Sequence, residues 1–148
     1  MAVTITQTQD GPSDVIYQYY FESDGVGGEL NNFVLLDPAW LTTGQSAKPW
    51  LPPGPYSSGL FSIQQVIYNF DNFDVILGFG GASPTYVLPL TPSTDSSFDF
   101  RPFGGMVDRT PIGNTPTGQI VCKTSGFSSR NLFGFMILKV RKMRNYVG

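Results

Sequence analysis

The chain has no histidine. That removes the side chain most often used as a general base near neutral pH, and the commonest transition-metal ligand. No Ser–His or Cys–His nucleophilic pair can be assembled. A single cysteine, Cys122, excludes an internal disulfide and fits a reducing compartment. Charged residues are only 14% of the chain, against about 25% in an average domain. So sparse a charge suits either a surface rich in Ser, Thr, Asn and Gln or one partly covered by other subunits. The longest apolar run, Phe133 to Leu138 with Gly134 inside it, is far too short to span a bilayer. The opening MAVTITQTQDG has no basic stretch leading into an apolar one, so no signal peptide and no membrane partner are expected.

The charges that are present are sorted. Residues 1–100 hold ten acidic side chains and one basic one, Lys48. Residues 101–148 hold eight basic side chains and one acidic one, Asp108. The two stretches carry −9 and +7, giving the chain its −2. Either the basic part folds against the acidic part or it meets an acidic partner.

A length of 148 residues predicts one domain, 1–148, able to bury roughly 70% of its unfolded surface. The 21 aromatics argue for a packed core. Short apolar runs separated by Gly, Pro, Asn and Asp predict about nine strands and no helix. These are Val3–Thr8, Ser13–Glu22, Phe33–Leu36, Phe61–Phe70, Phe73–Phe79, Thr85–Leu90, Ser97–Arg101, Gln119–Thr124 and Asn131–Lys142. In the second, Val15, Tyr17, Tyr19 and Phe21 share one face. The two-residue gap Asp71-Asn72 predicts a tight hairpin between the runs on either side.

The expected fold is all-β: an antiparallel β-sandwich, jelly-roll-like, with a closed barrel as the second choice. Residues 42–60, containing PWLPPGPY, form an extended Pro/Gly-rich loop or arm, and 139–148 a basic C-terminal segment. The last strand is apolar on both faces, Phe133, Phe135 and Ile137 on one, Leu132, Met136, Leu138 and Val140 on the other. That predicts a central strand wedged between two layers, or an outer face that contacts another subunit.

Few residues offer chemistry. Cys122 in QIVCKT reads as a buried, inert thiol, with Lys123 pointing the other way. The pairs Asp71/Asp74 and Asp95/Asp99 could serve glycoside chemistry or weak calcium binding, but aspartate in turns caps its own backbone, which explains both pairs. The glycine-rich DGVGGE and GFGGAS lack the strand–loop–helix pattern of a phosphate site. The basic C-terminal segment is more readily a solvated or subunit-facing strand than a nucleic-acid site, because the chain is acidic and has no stacking platform. No enzyme activity, metal or cofactor is expected.

Several motifs together resemble a family. They are TQDGP (Thr8 to Pro12), LLDPAWL (Leu35 to Leu41), IQQVIYNF (Ile63 to Phe70), FDVILGF (Phe73 to Phe79), FDFRPFGGM (Phe98 to Met106), PTGQIVCKTSG (Pro116 to Gly126) and the closing FMILKVRK. The pattern is similar to that of small virion structural proteins of tailed bacteriophages, of the capsid decoration or cement type. Thr42 to Gly59 and the basic residues beyond Lys139 depart from it. The resemblance implies a non-enzymatic β-sandwich, a homotrimer made in the host cytoplasm, bound on the capsid surface to junctions of the major capsid protein. Trp50 and Tyr56 would then form a clasp, and Arg141, Lys142 and Arg144 would meet acidic surface on the partner. A tail, receptor-binding or carbohydrate-binding sandwich is the alternative.

Overall fold

Strand pairing, more than strand position, decides where each surface of this chain points. The computed structural model describes residues 2–11, 13–24, 28–41, 61–110, 112–115, 117–126 and 131–142. Among them are ten strands: β1 (Ala2–Asp10), β2 (Asp14–Asp24), β3 (Phe33–Leu36), β4 (Phe61–Phe70), β5 (Asp74–Phe79), β6 (Thr85–Leu90), β7 (Ser93–Asp99), β8 (Met106–Val107), β9 (Ile120–Ser125) and β10 (Asn131–Lys142). Helical structure among the described residues is limited to short 3-10 turns. The expected arm at 42–60, with Trp50 and Tyr56, lies outside the described residues, as does Arg144.

The strands form two antiparallel sheets. Sheet A runs β1-β2-β10-β4-β7, with β8 pairing an end of β4. Sheet B runs β3-β9-β5-β6. Four ladders nest inside one another: β5 with β6, β4 with β7, β3 with β9 and β2 with β10. Two more ladders, β10 with β4 and β9 with β5, join that ribbon across each sheet.

The expected hairpin between β4 and β5 does not form. The chain leaves sheet A at Phe70 and enters sheet B at Asp74. Both edges of β4 are occupied, by β10 on one side and by β7 and β8 on the other. Asn72 takes φ 60, a left-handed conformation that asparagine tolerates better than most residues. Phe73 then drops into the core between the sheets. β7 begins at Ser93, four residues before the expected Ser97, because its serines pair with the end of β4.

The core fills from both inner faces. Val15, Tyr17, Tyr19 and Phe21 of β2 point inward as their alternation predicts, and meet Val75, Leu77 and Phe79 from sheet B within one cluster. The buried Tyr19 hydroxyl donates to the Leu35 carbonyl at 2.6 Å, so its burial strands no polar group. Phe21 meets Phe70 edge-on at 5.6 Å, and Phe73 lies 5.0 Å from Phe70. Gly134 makes room for these rings: a Cβ there would lie 2.7 Å from both Phe70 and Phe73.

Candidate association face

β10 has two unlike faces. Leu132, Met136, Leu138 and Val140 are buried in the core, with Lys142 in line with them. Phe133 and Phe135 point out of sheet A and are 50% and 42% exposed. Of the two readings of this strand, the covered one finds no covering element among the described residues. β10 is central within sheet A, flanked by β2 and β4, but no layer among the described residues covers its outer side.

Neighbouring strands extend the apolar surface. Phe135 pairs in register with Tyr20 of β2, and Ile137 with Ile67 of β4. Tyr20 and Ile67 are both exposed. Tyr20 and Phe133 bring their rings to 6.4 Å. A shallow depression of ≈ 350 Å³ lies beside this stripe, lined by Thr4, Thr6, Gln18, Tyr20, Phe135 and Ile137 among others. An apolar stripe crossing three adjacent strands is unusual on the solvent side of a sheet, and it makes this face the candidate association site.

Charge sits at the two ends of the stripe. Glu22, exposed, is in register with Phe133 at one end. Lys139 and Arg141 follow Ile137 at the other. Arg141 is exposed and in register with Asp14. Asp99 carries a bidentate contact from Arg101, whose nitrogens donate at 2.8 and 2.7 Å. These hydrogen bonds hold the Asp99 carboxyl down at about 2.

Of the partner-facing residues expected from sequence, Arg141 is on this outer face and Lys142 is not. The Lys142 ammonium is buried, donating to Asp10 Oδ1 at 2.6 Å and to the Gly11 carbonyl at 2.7 Å. At this point the basic part of the chain does fold against the acidic part. Phe133 and Phe135 belong to the strand face for which a subunit contact was one of two expectations; the aromatic that the sequence reading missed is Tyr20. Its signal was parity: Tyr20 is on the face opposite the core-facing Val15, Tyr17, Tyr19 and Phe21 of its own strand.

No reactive cluster stands out elsewhere among the described residues. Among the described residues, no three of Asp, Glu and Cys gather closely enough to hold a metal ion. Asp37 caps the Pro38–Trp40 turn by accepting from the Ala39 amide at 2.9 Å, and Asp108 accepts from the Thr110 amide at 2.8 Å. Asp99 accepts from the Arg101 amide at 3.0 Å, as a turn aspartate does. Asp71 is exposed and Asp74 half-buried; the side chain of Asp95 lies outside the described residues. Cys122 is fully buried, and burial pushes its thiol up to about 12. Lys123 faces away, its ammonium over the Tyr86 ring at 4.5 Å. Alkylation requires the thiolate. Iodoacetamide at mildly alkaline pH is therefore expected to label Cys122 only after unfolding in urea, read by mass spectrometry. Rapid labelling of the native protein would contradict this burial.

No family model, curated protein or solved structure matches the chain.

Proposed function

We propose that this chain is a structural protein of a virion, of the capsid cement or decoration class, which works by gripping other polypeptides and turns over no substrate. The observation that carries the reading is the nested strand pairing, β2 with β10 around β3 with β9, and β4 with β7 around β5 with β6. Such nesting supports a jelly-roll reading of the two antiparallel sheets, an architecture that viral capsid domains use repeatedly. Fold alone does not specify function, so the site has to agree with it. It does in kind: a broad apolar sheet face suits a protein contact far better than catalysis. The resemblance of the sequence motifs to small phage virion proteins supplies the partner class, the junctions of a major capsid protein. Many copies on one shell would make modest individual contacts cumulative.

The test is sedimentation of purified protein with empty capsid shells across a range of salt. The expected result is saturable pelleting with the shells. Protein that stays in the supernatant at every salt concentration would remove this reading.

Lectin domains share the same architecture. The depression beside Tyr20 sets an aromatic ring among Thr4, Thr6 and Gln18, which is the chemistry of a shallow sugar subsite. A glycan array separates the two: selective binding favours the lectin reading, and a blank array the cement reading.

A further inference from the structure

We propose that the outer face of sheet A seats a second copy of this chain, face to face, with the strands of the two copies antiparallel across a two-fold axis. The inference rests on the association reading above and names the occupant of that surface.

A two-fold contact uses the same patch on both partners, so the patch must complement itself. This one does, because its apolar centre is flanked by unlike charges. Glu22 marks one end, level with Phe133. Lys139 marks the other, six residues along β10, or roughly 20 Å away at strand rise. Beside Arg101, Lys139 also lies near enough to lower the Asp99 carboxyl, but the cations at that end, Lys139, Arg141 and Arg101, outnumber Asp99 and Asp14 by one. Arg101 holds Asp99, and Arg141 lies in register with Asp14. The residual pattern is one acidic end and one basic end.

Two face-to-face arrangements have two-fold symmetry. An axis along the strands would lay Glu22 against Glu22. An axis across them, passing between Phe135 and Ile137, lays each Glu22 towards the other copy's Lys139. The second also stacks Tyr20, Phe135 and Ile137 of one copy on the same stripe of the other. Stacked sheets sit about 10 Å apart with strands about 30° from parallel, within reach of these side chains. Five strands at about 4.8 Å spacing and some 30 Å of strand give a face on the order of 700 Å². A standard interface buries about 800 Å² per partner, so the face is of the required scale.

Sedimentation equilibrium of the full chain tests this with Glu22→Lys, Lys139→Glu and Phe135→Ser. All three positions lie on the outer face, and an unchanged far-UV circular dichroism spectrum with cooperative thermal unfolding verifies the fold of each variant. The wild type is expected to be a dimer at micromolar concentration. Each single variant should weaken the dimer about tenfold or more. An equimolar mixture of Glu22→Lys and Lys139→Glu should restore it, because every cross-contact in the mixed dimer again joins opposite charges. A mixture no tighter than its components would overturn the proposal. So would a trimer, or a wild-type dimer insensitive to Phe135→Ser. A wild-type monomer would overturn it too; if that monomer still pellets with shells, the cement reading stands, and if it does not, both fall.

Discussion

Lys142→Ala is expected to lower the unfolding free energy by about 3–5 kcal/mol, the usual cost of removing one member of a buried ion pair. The Lys142 side chain is 1% exposed and that of Asp10 8%, with 2.6 Å between the charged atoms. The Lys142 amide also donates to the Ser13 carbonyl at 2.7 Å, so both backbone and side chain fasten the end of β10 to the β1–β2 turn. Urea unfolding reads the effect as a fall in midpoint at unchanged m-value. Arg141→Ala, one residue away and exposed, is expected to shift stability by no more than about 0.5 kcal/mol. Replacing the pair with apolar residues, Asp10→Leu with Lys142→Met, should recover much of the loss, since a buried ion pair is defended chiefly against losing one member. A loss below about 1 kcal/mol for Lys142→Ala would mean that water reaches Asp10 readily in solution.

Phe73→Ala is expected to cost about 3–5 kcal/mol, the range for deleting a buried aromatic ring. Phe73 is 1% exposed and packs against Phe21 and Phe70, where the chain passes from one sheet to the other. Its loss would open a cavity bounded by two strands that cannot collapse without breaking their ladders. Phe133→Ala removes the same ring from the outer face and is expected to leave monomer stability within about 0.5 kcal/mol. It should instead weaken self-association. Equal costs at the two positions, in thermal or urea unfolding, would contradict the division of sheet A into an inner and an outer face.

Much of the fold was legible because most strands here are half-buried. A half-buried strand alternates, and alternation is a local signal: Val15, Tyr17, Tyr19 and Phe21 announced β2 and its inner face together. The long-range pairing carried no local signal. Asp71-Asn72 resembles a hairpin turn, and only the prior claim of β10, β7 and β8 on β4 sends the chain across to the other sheet. The serines at the start of β7 have no strand preference and are held by register with β4. The candidate face was half legible. Phe133, Phe135 and Ile137 were seen as one surface of β10, but Tyr20 and Ile67 join them only once β2 and β4 flank that strand. Lys142 was misassigned to the exterior because its charge outweighed its parity. It continues the inward series of Leu132, Met136, Leu138 and Val140, and a lysine on an inward position asks for a buried carboxylate.

The place of β10 between β2 and β4 also bears on how the protein is made. Residues 14–24 and 61–70 are synthesised well before residues 131–142, yet each lacks its shared neighbour until those residues leave the ribosome. Until then sheet A consists of two separated halves with open inner edges, and the aromatic side chains of β2 and β4 have no complete core to enter. Closure of a loop of more than a hundred residues is then the step that commits the chain. During that interval the nascent polypeptide exposes adhesive strand edges, so a slow pause near residue 130 would favour aggregation and a holdase chaperone would favour yield.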